Sequence, residues 1–246
     1  MGAMVDQLKK NVMQGRRVFE ARRSATRSRL CRKDGFRTRR SSSFPGPTVA
    51  GRSVQAIAVL HAEHRSLAAV MHGMLYLVRD IRLRRSSPRF DVLAAMVEYI
   101  KAVPERLHHP KEEAYLFRLL AMRYPDAGRL IDDLQKEHRS GATMIRELEQ
   151  ALERYRQGGA EEFQAFAEAA ANYAALQWRH MRTEEDLLMP LARVHLTAAD
   201  WRQIDAAFRG HDDPLSGVEV EREYENLFRR IVKLAPPPLG IGPSAS

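Results

Sequence analysis

The sequence predicts an all-α protein: an up-down-up-down four-helix bundle with short C-terminal helices and a basic, mostly disordered N-terminal segment. Three observations carry this. From Val54 onward, apolar residues recur at three- and four-residue intervals, the period of a helix with one buried stripe. No stretch alternates apolar and polar residues as a half-buried strand would. Helix breakers divide the region into four long segments with short connections, which favours antiparallel neighbours.

The leading segment stands apart. Residues 1–52 carry 14 Lys/Arg against Asp6, Glu20 and Asp34, a net of +11, so the whole-chain charge of +9 belongs to this arm and the remainder is close to neutral. Its Arg-Arg pairs, Ser41-Ser42-Ser43 and Pro45-Gly46-Pro47 leave little apolar surface to bury, so residues 1–50 read as an extension without a core. A basic arm can contact nucleic acid or an acidic surface through counterion release. No aromatic interleaving or groove-reading motif accompanies the charge, and an inert tail is the expectation. The arm lacks the apolar run of a secretory signal, and nothing in the chain approaches the roughly 20 apolar residues of a membrane span. Cys31, the single cysteine, excludes an internal disulfide framework and a four-Cys zinc site, and a cytoplasmic location is the default.

The first helix is expected from Val54, with Ile57, Leu60, His64, Leu67, Val70, Met71, Met74, Leu75 and Val78 on its stripe. Ser86-Ser87-Pro88 ends it and opens the second, over about 89–123, which Pro125 closes. The third runs over about 126–156 and stops at Gly158-Gly159. The fourth covers about 161–193, with Pro190 bending or ending it. Thr197-Ala198-Ala199-Asp200 resembles a capping box before a short helix to about Arg209, and a last helix near 219–234 precedes Pro236-Pro237-Pro238. The expected domains are 1–50, the bundle at 51–195, and a C-terminal extension at 196–246.

The chemistry lies in an internal duplication. Glu63-His64-Arg65 on the first helix returns as Glu137-His138-Arg139 on the third. His108-x-x-x-Glu112-Glu113 on the second returns as His180-x-x-x-Glu184-Glu185 on the fourth. Residues four apart share a helix face one turn apart, so each His-x-x-x-Glu pair can aim a nitrogen and a carboxylate at one point. Two-fold pseudosymmetry would bring both points together in the core, where His64 and His138 add a nitrogen each. Four imidazoles and two carboxylates suit a first-row transition metal, iron above all. Zinc prefers a four-ligand tetrahedron, and magnesium or calcium would want oxygen throughout. A lone histidine or a Glu-Glu pair on a helix is usually structural or solvated. Polar groups facing a bundle interior in duplicate are costly unless paired or metal-bound.

The segments EHRSLAAV, HHPKEEAYLF, KEHRSGATMI and HMRTEEDLLMP resemble the hemerythrin-like, or HHE cation-binding, family over roughly residues 54–193. The resemblance implies two iron ions in a carboxylate-bridged, non-haem site, oxo- or hydroxo-bridged, held by His64, His108, Glu112, His138, His180 and Glu184. Glu112 and Glu184 would be the bridges, with Glu113 and Glu185 turned away toward helix partners. It implies binding or sensing of oxygen, nitric oxide or iron, or alternatively an enzyme acting on nitric oxide or peroxide or repairing iron–sulfur clusters. The chain departs from the oxygen carriers, which have a further His where Ala142 stands and a fourth-helix aspartate one residue later. It departs from the repair proteins in lacking their N-terminal cysteine pair. Among the other histidines, His61 is a candidate fifth ligand or mouth residue and His72 a candidate core residue. His109 is expected at the surface or a helix interface, and His195 and His211 are expected to be structural.

Overall fold

The computed structural model describes residues 55–209, 226, 229–237 and 239–242. The basic arm, His211 and the start of the expected last helix lie outside them. Helix α1, Gln55–Arg82, buries Ile57, Leu60, His64, Leu67, Met71, Met74 and Val78, the stripe its periodicity demands. Arg79 and Arg82 occupy its last turn, where cations favour the carbonyl end.

Helix α2 covers residues 90–123 without a break: Phe90–Val103, a π turn at Pro104–His108, His109–Lys111, a second π turn at Glu112–Phe117, and Arg118–Arg123. A single 3-10 turn, Pro125–Ala127, leads into α3, Gly128–Gly158. Gly159, at φ +71°, reverses the chain. Helix α4 spans residues 163–195 as Phe163–Thr183, a π turn at Glu184–Leu188, and Met189–His195. Pro190 does not end this helix. The Met189 N–H donates five residues back to Glu184, and this wider turn lets the proline ring pass without breaking the rod. Pro110 is accommodated in the same way, since the His109 N–H donates to Pro104.

α1 packs against α2 and α4, and α3 against the same two, which closes the expected bundle. No strand occurs among the described residues. Its core is two apolar layers. One contains Leu67, Met71, Met74, Val92, Met96, Ile100, Leu148, Phe166 and Tyr173. The other contains Ile57, Leu60, Leu116, Phe117, Leu120, Ile131, Leu134 and Leu188. Each such side chain contributes about 1.5–3 kcal/mol on full burial. Between the layers each helix places polar residues, as α1 does with His64 between Leu60 and Leu67.

Helix α5, Ala198–Arg209, closes the second layer through Trp201, Ile204 and Phe208. Thr197 and Asp200 form the expected capping box: the Thr197 N–H donates to the Asp200 carboxylate and the Asp200 N–H to the Thr197 hydroxyl. Asp200 also accepts two hydrogen bonds from Arg123, at 2.8 and 3.0 Å. The Ala56 N–H, orphaned at the start of α1, donates to Asp205.

Candidate metal centre

All six residues singled out by the duplication meet in the polar layer between the two apolar ones. His64, His108, His138 and His180 are each no more than 5 % exposed, and Glu112 and Glu184 are completely buried. They form two overlapping groups, His64–His108–Glu112–Glu184 and Glu112–His138–His180–Glu184. Both glutamates belong to both groups. The His64 Nε2 lies 3.0 Å from the His108 Nε2, and the His138 Nε2 3.1 Å from the His180 Nε2. Glu184 sets one oxygen 3.2 Å from His64 and the other 3.3 Å from His180. Glu112 does the same at 3.5 Å from His108 and 3.7 Å from His138.

A second ring of carboxylates fixes which nitrogen of each imidazole faces inward. The His64 Nδ1 donates to Glu185 at 2.9 Å, and that of His108 to Glu63 at 2.7 Å. The His138 Nδ1 donates to Glu113 at 2.7 Å, and that of His180 to Glu137 at 3.1 Å. A carboxylate in this role only accepts, so in the neutral ring each Nδ1 carries the proton and each Nε2 presents a bare lone pair. Glu113 and Glu185 therefore do turn away from the centre, as expected, but onto the histidines of neighbouring helices. Sequence reasoning left Glu63 and Glu137 without a role. The signal for them was the repeated Glu-His adjacency.

The inner donors fit a cation. With Nδ1 protonated, neither member of either Nε2 pair can donate to the other, so two lone pairs confront each other at each end. All four oxygens of Glu112 and Glu184 are buried without a hydrogen-bond donor. Such groups normally cost about 1–3 kcal/mol each, and a positive ion among them satisfies nitrogens and oxygens together. Left to protons alone, the groups pull against one another. Burial works against charging His64, yet the Glu184 and Glu185 carboxylates beside it prevail and push it up to about 9, so without a cation a proton takes the place of one on Nε2. His180 also rises to about 9, against burial, through Glu184 and Glu137. Glu112, buried and facing Glu184, is raised, whereas Glu184 is lowered by His180 and His64 in spite of its burial.

The remaining histidines divide. His61 sits at the mouth, half-exposed, with its Nδ1 3.3 Å from the same Glu185 oxygen that His64 uses, and it is in neither inner group. His72 is exposed, not in the core, and its ring lies 4.7 Å from that of Trp178. His195 stacks on Tyr124. His109 is buried in the site, stacked on His138 with ring centroids 3.7 Å apart. Of the two expected positions, surface or helix interface, the structure shows the interface, against His138 of α3; that this interface is part of the site was not expected, because a rotation of about 100° per residue from His108 assumes a regular helix. The π turn at Pro104–His108 rewinds the segment just before His109. Burial, and then the neighbouring imidazoles, hold His109 far below the usual imidazole range, so its ring is neutral.

Among the described residues, no helix is long and apolar enough to cross a membrane. The hemerythrin HHE cation binding domain family matches residues 55–192, more than half of the chain and all four bundle helices. No curated protein matches the chain.

Proposed function

Since this chain belongs to the hemerythrin HHE cation-binding family, we propose that it is a non-haem di-iron protein that binds or senses oxygen or nitric oxide. His64 and His108 would hold one ion and His138 and His180 the other, with Glu112 and Glu184 shared between them. The observation that carries this reading is the overlap of the two buried groups through both glutamates. A single-ion site would need neither two opposed histidine pairs nor two shared carboxylates.

The donor set favours iron. Four imidazole nitrogens with two carboxylates suit a first-row transition metal better than an all-oxygen cation, and exceed the four ligands of a structural zinc. Two irons would supply redox capacity and coordination positions for a diatomic ligand. The protein's own part is positional. Glu63, Glu113, Glu137 and Glu185 hold the Nδ1 protons and so keep all four imidazoles in the metal-binding tautomer. The apolar layers on either side keep bulk water from the inner carboxylates, and His61 with Glu185 marks a half-exposed edge where a small molecule can enter.

Anaerobic reconstitution with ferrous iron, followed by metal analysis and then exposure to air or nitric oxide, tests the reading. About two irons per chain and new ligand-to-metal absorption bands are expected. One iron or fewer, or a loaded protein that stays spectrally silent toward both gases, would refute it. Consumption of either gas over many turnovers would move the assignment to an enzyme.

A further inference from the structure

The inner donors are walled in. Glu112 and Glu184 are completely buried and the four imidazoles nearly so, and a metal site this closed needs a way in for its ions. The outer carboxylates are the part of the wall that reaches solvent, and they do so unequally. The side chains of Glu63 and Glu137 are 21 % and 22 % exposed, those of Glu185 and Glu113 38 % and 43 %. The two more open ones are equivalent in the duplication, Glu185 lying on His64 and Glu113 on His138. The residues that precede those histidines differ. Three positions before His64 stands His61, and three before His138 stands Gln135.

His61 is 37 % exposed, and its Nδ1 lies 3.3 Å from the Glu185 oxygen that the His64 Nδ1 meets at 2.9 Å. Orienting that carboxylate does not require it, since Glu113 holds the His138 Nδ1 more closely, at 2.7 Å, with no second imidazole in the equivalent place. The spacing is that of donors to one ion. Two ligand atoms each about 2.0–2.2 Å from a first-row cation stand roughly 3 Å apart, and the inner pairs His64–Glu184 and His180–Glu184 are set at 3.2 and 3.3 Å. The position is also next to the centre. The His64 ring turns Nδ1 outward to Glu185 and Nε2 inward to Glu184, so one imidazole separates the His61–Glu185 pair from the inner donors.

We propose that His61 and Glu185 form an outer landing site for a divalent first-row cation, through which iron enters the centre at its His64–His108 end. Imidazole with carboxylate is the donor chemistry of the centre itself, so the landing site selects the same class of ion. Two protein donors leave most of the ion's shell to water, so the ion is held briefly and passed on. The edge at Glu113, with the amide of Gln135 in place of an imidazole, is the poorer entrance. This inference rests on the metal reading above.

The test compares rates with equilibrium. Full-length wild type, His61→Ala and His61→Gln, the last carrying the residue type of the other half, are stripped with chelator and mixed anaerobically with ferrous iron. Free iron is trapped at timed intervals with a colorimetric chelator, and bound iron is counted at the end. Release from the loaded proteins into excess chelator is timed separately. Both variants should reach the wild-type count and affinity, but load about tenfold or more slowly, the lower end of what concentrating an ion at a charged edge gives. Release should slow by the same factor, because a residue on the path that is absent from both end states changes the two rates equally. Should His61→Ala lose helicity, His61→Gln decides by the same comparison. Unchanged rates overturn the proposal. So does a variant that holds less iron at equilibrium, which would make His61 a ligand of the centre. A wild type that takes up no iron fails at the count, and both readings fall with it; unchanged rates in a protein that holds two irons remove this inference alone.

Discussion

Replacing Glu112 with leucine should stabilise the metal-free protein while destroying its capacity for metal. Glu112 is completely buried, neither of its oxygens receives a hydrogen bond, and it faces a second buried carboxylate. Its approaches to His108 and His138, at 3.5 and 3.7 Å, are too long to count as hydrogen bonds, so beyond the proton it shares with Glu184 the substitution forfeits little. Removing one unsatisfied buried group recovers about 1–3 kcal/mol, and leucine extends the apolar contacts of Leu116 and Leu188 into the polar layer. For a chain of this size each kcal/mol moves Tm by about 2–4 °C, so chelator-treated Glu112→Leu should melt roughly 2–12 °C above chelator-treated wild type.

With metal the order reverses. Wild type gains about 2.7 kcal/mol at a free metal concentration a hundredfold above Kd, and the variant, having lost a carboxylate common to both groups, gains little. Circular dichroism melts of both proteins, each with chelator and with ferrous iron under anaerobic conditions, give the four Tm values. A metal-free variant that melts below metal-free wild type would refute the reasoning, because it would show that Glu112 holds the bundle together rather than straining it.

Other outcomes follow from the same geometry. His64→Ala and His138→Ala each remove a donor from one group, so elemental analysis should show loss of about one ion of two, with helicity retained. Glu63→Ala or Glu113→Ala frees an imidazole from its tautomer-fixing partner and should weaken metal affinity about 10–100-fold in competition titrations. Asp200 is held down to about 2, chiefly by Arg123 and against the effect of burial, with help from Thr197. A depressed carboxyl contributes stability that is complete above its ordinary value near 3.8 and is lost as pH falls through about 2. In chelator, Asp200→Asn should therefore cost about 1 kcal/mol at pH 7, and its Tm deficit should shrink toward pH 2. Gly159→Ala should cost about 1–3 kcal/mol in urea melts. Open space surrounds the position, but its φ of +71° with ψ of −150° is a region that only glycine occupies readily.

How much of this was legible in the sequence depended on what repeats. The helix stripes, the glycine turn at 158–159, the capping box at Thr197 and the six inner donors each follow a local periodicity or a spacing, and local rules survive into the fold. Pro190 was legible only as an obstacle, since whether a helix breaks or widens at proline depends on neighbours that hold the rod together, and Leu188, Met189 and Ala192 are all buried. His109 was legible as a helix-interface residue but not as part of the site, for the related reason that a π turn changes the pitch at this point of the helix, and nothing in the residues Pro104–His108 reports the change. His72, two turns beyond His64 on the same helix, was expected in the core. Its neighbours Met71, Gly73 and Met74 take the buried positions, leaving it on the solvent side.

The short words Glu-His and Glu-Glu explain why the centre needs both halves of the duplication. Adjacent residues on a helix point about 100° apart, so when one member of a pair faces the bundle axis the other faces a neighbouring helix. In Glu63-His64 and Glu137-His138 the histidine takes the axis and the glutamate reaches the histidine of the next helix in its own half, His108 or His180. In Glu112-Glu113 and Glu184-Glu185 the first glutamate takes the axis and the second crosses to the opposite half, to His138 or His64. One link thus closes each half, and two join the halves. One helix pair alone would leave a histidine without its orienting carboxylate and each group short of one glutamate, so the donors become a metal site only when all four helices have packed.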